Sequence, residues 1–330
     1  MLNMTALQTI IDTLSSEPGF SGDIRFDEPM SRHTTFKVGG PADVWVRPDG
    51  ACFPEYAAAL LRAARSADVP VFILGGGANL VVADRGIRGI VLDTGDWTGW
   101  DFSAGDISSG NAAEKGAGHL FTVTVRSGTA VDALVDAAAE RGWGGLEFLA
   151  GMPGTVGGVI WMNARCMEKS VSDVLVEVEI LDEDFNRVMV PYNPADFAYK
   201  KSPFQKRDVL ILSARFKVSK RAGEESRREA EALRRDRETK GHFRAPSAGS
   251  AFKNNRAFGK PTGKIIDDLG LRGFSVGGAA VAPWHGNFII NTGNATAADI
   301  LALVDALTEK VRTEAGITLE PEILFVGAQK

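Results

Sequence analysis

The chain lacks most of the features that would commit it to a secreted, membrane or metal-dependent role. It has only two cysteines, Cys52 and Cys166, far apart in sequence. That excludes a disulfide framework and gives no zinc-type spacing, so no metal site is expected. No apolar run approaches the ~20 residues of a membrane span. The opening MLNMTALQTIIDTLSSE has no basic stretch and no cleavage signal, and it carries Asp12 and Glu17. No signal peptide is expected there, and a reduced cytoplasm is the default location. Positive charge is not in excess either: 37 basic residues stand against 42 acidic ones, a net charge of −5. Nothing in that balance attracts nucleic acid or a membrane surface, and an anionic substrate would need local basic groups. Internal repeats and low-complexity tracts are missing.

Glycine, by contrast, is concentrated. Residues 72–94 read FILGGGANLVVADRGIRGIVLDT. An apolar strand-like run halts at Gly75, Gly76 and Gly77, and a second run begins at Leu80. Bare backbone N–H groups in a concave row seat an anion such as pyrophosphate; a tight turn without a ligand is the plain alternative. Two common phosphate loops do not apply. The dinucleotide fingerprint needs a third glycine where Leu80 stands and a following helix, whereas residues 81–92 read as a hairpin-like strand and turn. The Lys-Ser/Thr pair of a Walker loop is also missing. Residues 142–163, GWGGLEFLAGMPGTVGGVIWMN, form a second glycine-rich stretch. It is too apolar for a linker and too rich in glycine for a regular helix. Such backbone suits close packing on a flat ligand, or a buried irregular connection.

FILGGGANLVV and LEFLAGMPGTVGGVIWMNA together resemble the flavin-binding signatures of the UDP-N-acetylenolpyruvoylglucosamine reductase family, whose FAD-binding domain is of the vanillyl-alcohol oxidase type. The resemblance runs from about Met30 to Gly327. It implies an α+β fold: a flavin domain of two α/β subdomains, then a C-terminal α/β substrate domain. Boundaries are expected at 1–28 for an N-terminal helical segment, 29–219 for the flavin domain and 220–330 for the substrate domain. Gly75, Gly76, Gly77, Ala78, Asn79 and Leu80 are then expected at FAD. Gly151, Pro153, Gly154, Thr155, Gly157, Gly158 and Asn163 join them.

Element readings agree with that division. Residues 5–14 carry a helical stripe, 44–46 a strand, and 57–67 an alanine-rich helix. TFKVGGPAD, residues 35–43, opens the flavin domain in the resembled family. Residues 121–125 alternate as a strand. Thr129 and Asp132 read as a capping box for a helix that stops at Gly142. Residues 174–181 and 209–218 read as strands. RAGEESRREAEALRRDRETK, residues 221–240, is almost all charged and reads as a solvated helix at the domain boundary. Beyond it come a short helix at 264–269 and strands at 277–281 and 288–290. A helix boxed by Thr296 and Asp299 ends at Gly316, and 317–326 reads as a closing strand.

A third signature is PSAGSAFKNN, residues 246–255, which by itself reads as a serine-rich turn. Its likeness to the family's AGS-x-FKNP segment makes Ser250 a proton donor, although Asn255 replaces the usual proline. The resembled reaction uses NADPH to reduce FAD, and the reduced flavin passes hydride to an enolpyruvyl double bond. Serine is a weak acid, so it needs polar surroundings or a relay. Glu322, in LEPEILFVG, matches a family glutamate that would act from its acid form; Glu320 is a rival two residues away. The family's G-Y-R-x-S reads Ala198, Tyr199, Lys200, Lys201, Ser202 here. Lys200 takes the arginine's place beside the oxyanion, losing the bidentate fork, and Lys201 is its rival. Tyr199 and Ser202 are expected on the substrate and nicotinamide side, with Lys240, Lys253, Lys264 and Asn254 as diphosphate partners. His285 stays unassigned. Arg165, Cys166 and Met167 depart from the family's A-Y-G segment, and no tyrosine-bearing insertion lies between 218 and 240, which favours the shorter subtype. A monomer binding NADPH and a UDP-sugar is expected; an oxygen-using flavin oxidase and a non-catalytic nucleotide-sugar binder are the competing readings.

Overall fold

A computed structural model describes residues 4–16, 20–104 and 121–328. The first layer is helical on one side. α1 (Met4–Ser15) buries Leu7, Ile10, Ile11 and Leu14, the stripe expected from the sequence. It packs on α2 (Phe53–Ser66). Both cover a sheet ordered β1 (Gly22–Pro29), β2 (Pro41–Pro48), β5 (Ile87–Asp93), β3 (Val71–Leu74). The β2, β5 and β3 neighbours are parallel. Their residues Val44, Val46, Ile90 and Leu92 are fully buried, as a covered parallel sheet requires.

The second lobe is an antiparallel sheet in the order β12 (Arg187–Pro191), β11 (Leu175–Leu181), β13 (Leu210–Lys220), β7 (Phe121–Arg126), β6 (Trp100–Ala104). The short β8 (Trp143–Gly144) joins the end of β13. α3 (Val131–Glu140) and α4 (Val156–Trp161) pack against it, and a small hairpin joins β9 (Arg165–Cys166) to β10 (Lys169–Ser170). α5 (Gly223–Thr239) is the charged helix expected to be solvated at the domain boundary. It packs on the second lobe instead. Ser226 and Ala230 are buried, and the Ser226 hydroxyl donates to Glu147 at 2.7 Å. Arg234 reaches Asp132 and Asp136, and Arg237 donates to the Ala150 carbonyl. Ion pairs, two small residues and the partly buried Leu233 replace the usual apolar stripe.

The C-terminal part contains α6 (Thr262–Asp268), the sheet β14 (Ser275–Val276), β15 (Ala279–Val281), β16 (Ile289–Asn291), the long α7 (Ala297–Ala315) and β17 (Leu324–Val326). The Thr296–Asp299 box is present, and Gly316 closes α7 at φ 66°. Phe36, Val38 and Val81 of the N-terminal lobes share one core with Ile300, Leu303, Val304 and Leu307 of α7.

Three further expectations are corrected. Residues 81–92 are not a hairpin: β4 (Leu80–Val82) turns away from β5 and pairs in parallel with β17. Only Leu324–Val326 of the stretch 317–326 is strand, because 317–323 is spent on reaching β4. The Thr129–Asp132 box does not form. Thr129 bonds Gly99, while Asp132 accepts from the Gly151 N–H and faces Arg234.

Asp84, just past β4, also caps α7: its carboxylate accepts from the Ala297 and Ala298 N–H groups at 2.8 and 3.0 Å. That joins the N-terminal lobes to the C-terminal part through a charge at the positive end of a helix. Asp84→Ala should cost about 1 kcal/mol, a melting-temperature fall of about 2 °C by calorimetry. An unchanged melting temperature would show that the Thr296–Asp299 box suffices.

Candidate active site

The two glycine loops meet. A Cβ on Gly76 would lie 2.6 Å from the Gly154 Cα, and one on Gly75 would lie 2.7 Å from Thr155 Oγ1. Gly77 adopts φ 60°, and a Cβ there would collide with the His33 carbonyl at 1.9 Å. These contacts explain why side chains are absent. A cavity of about 680 Å³ opens beside them, lined by Gly75, Gly76, Pro153 and Thr155 together with residues 242–247 and Gly249. The third signature therefore faces the first two. Its volume is in the range of nucleotide and cofactor sites.

Glu322 joins the segments. Its N–H donates to the Ala251 carbonyl at 2.8 Å, next to Ser250. Its carbonyl accepts from Asn79 Nδ2 at 3.1 Å, and the Leu324 N–H returns to the Asn79 carbonyl at 3.0 Å. Its carboxylate lies 2.5 Å from Lys200 Nζ, both side chains being 12% exposed. Ser250 itself is held by a backbone bridge to Phe288. Tyr199 is beside the pair: burial first, then the Glu322 charge, raises its hydroxyl above the ordinary range. It accepts from the Asn254 N–H at 3.4 Å.

Lys200 occupies a strained backbone position, φ 57°, that an L-residue adopts only when its surroundings enforce it. The enforcing contacts are visible. Gln205 Nε2 donates to the Lys200 and Trp161 carbonyls at 3.1 and 2.9 Å. Ser202 Oγ donates to Trp161 at 2.7 Å, and Asn163 Nδ2 donates to Ala198 at 2.9 Å. A narrow bridge between Ala198 and Lys201 closes the turn.

The comparisons with known proteins are consistent across the chain. Residues 54–185 match an FAD binding domain family, and residues 241–326 match the C-terminal domain of UDP-N-acetylenolpyruvoylglucosamine reductase. The reductase of that name from Treponema denticola is 38% identical, covering 97% of this chain and 99% of its own. The one from Desulfosudis oleivorans is 38% identical over 93% of this chain and 96% of its own. The crystal structure of the Thermus caldophilus reductase is 30% identical, with a TM-score of 0.69, over 93% of this chain and 99% of that one.

The chain belongs to the UDP-N-acetylenolpyruvoylglucosamine reductase family. It is an oxidoreductase with a flavin-binding domain, and the α+β class expected from the sequence is the one observed. The residues present fit a flavin dinucleotide. Thr155 Oγ1 and Ser127 Oγ are buried polar atoms without a partner among the described residues. Thr155 lines the cavity, and Ser127 precedes the lining residue Gly128. An unpaired buried hydroxyl is costly, and a ligand's polar edge would satisfy it.

Among the expected site residues, Ser250, Glu322, Lys200, Tyr199 and Asn254 come together. Glu322 is the glutamate at Lys200; Glu320 pairs instead with Lys253 at 2.5 Å. Lys201 is exposed, so Lys200 is the lysine that points inward. Asn163 and Ser202 lie beside the Lys200 turn. Both are buried and bonded to backbone, and those bonds shape the Lys200 turn. Gly151 packs on Arg234 and Arg237 of α5, and Gly157 packs on Ser127. Lys240 and Lys264, expected at a diphosphate, are each held by an aspartate one helical turn away, Asp236 and Asp268. Sequence reasoning missed Arg32, His33, Lys37, Arg47, His242 and Arg244 on the cavity wall. The basic residues flanking TTFKVGG and preceding PSAGS were the available signal.

Gly76→Ala puts a methyl against backbone that cannot yield. Purified protein should lose most of its bound flavin, read as flavin absorbance per polypeptide; full flavin content would separate the loop contact from cofactor binding. His242 gives a pH prediction. Burial foremost, then Arg237, His285 and Lys240, pushes its pKa from 6.5 down to about 4. Between those values the unfolded chain binds more protons than the folded one, so stability falls as pH drops through that window. His285 is lowered by burial in the same direction. Thermal melts of His242→Gln from pH 7 to pH 4 (about this range, by the linkage relation) should show a flatter decline than wild type.

Proposed function

We propose that this enzyme reduces UDP-N-acetylglucosamine enolpyruvate to UDP-N-acetylmuramate with NADPH, in the cytoplasmic synthesis of peptidoglycan precursors, and acts as a monomer. The observation that supports this reading most directly is the convergence on Glu322: the first glycine loop, the residue after Ser250 and Lys200 all bond to it. Among the described residues no helix is long and apolar enough to cross a membrane, and no group of three metal-ligating side chains occurs.

Bound FAD would supply the hydride, taken from NADPH and delivered to the terminal carbon of the enolpyruvyl group. Gly75, Gly76, Gly77, Ala78, Asn79 and Leu80, with Gly151, Pro153, Gly154, Thr155, Gly157 and Gly158, form the loops that would hold it. The remaining work falls to this chain's side chains. As hydride adds, negative charge develops on the carbon bearing the carboxylate and spreads into an enediolate. Lys200 is the cation beside that oxyanion, and its forced backbone conformation keeps the ammonium in place without reorganisation during the reaction. Glu322, once an arriving substrate carboxylate replaces it at Lys200 and it takes up a proton from solvent, would donate to the same oxygen. Ser250 gives its proton to the carboxylate-bearing carbon and recovers one from solvent. Two electrons, as hydride, and one proton thus saturate the double bond. Tyr199 and Asn254 border the substrate side, and Lys253 remains a candidate phosphate partner on release from Glu320.

Stopped-flow kinetics of Ser250→Ala test the assignment. Flavin reduction by NADPH should stay near wild type, while reoxidation by the enolpyruvyl substrate should fall by about 10²–10⁴, the span of general acid catalysis. Equal damage to both half-reactions would mean that Ser250 supports the site and donates no proton.

A further inference from the structure

The cavity wall is positive in an acidic molecule. Arg32, Lys37, Arg47 and Arg244 line it against one carboxylate, Asp93, while the whole chain has 37 basic and 42 acidic residues. Two of the four cations are already engaged. Arg47 pairs with Asp93 at 2.9 Å, and Arg32 lies 3.6 Å from Glu28. Lys37 and Arg244 have no acidic partner among the described residues, although most surface arginines and lysines near them do.

Each stands on a turn that other contacts hold in place. Lys37 has φ 57°, its N–H donates to the Thr34 carbonyl, and the Thr34 hydroxyl donates to the Val38 carbonyl. The neighbouring Thr35 N–H donates to the Gly77 carbonyl at 3.1 Å, which fastens this turn to the first glycine loop. Arg244 comes from the other side. Gly241, at φ 79°, lies flush on Trp284, where a Cβ would sit 2.4 Å from the indole. Trp284 Nε1 donates to the Gly241 carbonyl, and the Arg244 guanidinium lies 5.6 Å over the Trp284 ring. One cation thus belongs to the flavin lobes and the other to the run that leads to Ser250.

We propose that Lys37 and Arg244 are the two jaws of an anion clamp that grips phosphate oxygens of a bound nucleotide across this cavity. Gripping from both sides pins residues 242–249 of the C-terminal part onto the cofactor loops, so that occupancy of the cavity aligns Ser250. Arginine offers a fork to two phosphate oxygens, and lysine offers a point charge. The proposal rests on the flavin reading above, because the same wall contains Gly75 and Gly76 and the diphosphate of FAD is the nearest candidate. NADPH and the UDP-sugar carry the same group.

The test uses the holoenzyme and the variants Lys37→Gln, Arg244→Gln and Arg244→Lys. Both side chains are exposed, so with flavin removed the variants should melt as flavin-free wild type does. FAD release on dilution is followed by recovery of flavin fluorescence at low and high salt. Each glutamine variant should weaken FAD binding about tenfold, the scale of one charge-assisted contact, and reduce the salt dependence. Arg244→Lys should restore part of the loss. If FAD retention is unchanged but the KM for NADPH or for the UDP-sugar rises about tenfold, the clamp stands and the phosphate it holds is that ligand's. If FAD retention and both KM values match wild type, the clamp is overturned. A wild-type protein that holds no flavin would sink the cofactor reading instead, and binding of UDP to the same variants would still judge the clamp.

Discussion

The pairing of Lys200 with Glu322 is the interaction around which the molecule is arranged. Two opposite charges, each mostly removed from water, face one another at 2.5 Å. Neither could be left alone there, since a buried charge without its partner is strongly destabilising. The pair therefore fixes the relative placement of the second lobe, which supplies Lys200, and the C-terminal part, which supplies Glu322. Asn79 and Ala251 hold the Glu322 backbone, so the glycine loop and the serine segment are set by the same residue. A substrate carboxylate arriving beside this pair would meet a cation whose position is already determined.

What determines it is a group of polar residues that act on backbone. Gln205, Ser202 and Asn163 satisfy carbonyls around a turn whose central residue is in the left-handed region. Strain of this kind persists only when several contacts enforce it together. The lysine at this position loses the fork that an arginine would offer, and the rigid turn offsets part of that loss by preorganisation.

The parts legible in the sequence were those whose requirement is local. Three consecutive glycines state that no Cβ fits, and the contacts of Gly75, Gly76 and Gly77 give the reason. The α7 box and its glycine stop are likewise set within a few residues. Less legible were features decided by distant partners. Nothing in Leu80–Val82 distinguishes a hairpin arm from a strand that pairs with Leu324–Val326. β1, with a single buried residue, has no alternation to reveal it as an edge strand. α5 buries a serine and an alanine, packs one leucine, Leu233, on the core and is otherwise held by charge, so its polar composition resembled a solvated helix. Lysine identity alone did not separate Lys240 and Lys264, neutralised within their own helices, from Lys37, which is not.

The parallel pairing of β4 with β17 has a consequence for how the protein acquires its cofactor. A contact between segments so remote in sequence forms late, after the entropy of a very long loop has been overcome. Until then β4 and the glycine turn before it present a bare strand edge, open to pairing with other molecules. Chaperone dependence, and uptake of the prosthetic group only after the C-terminal part has docked, are the expected signs of that order of assembly.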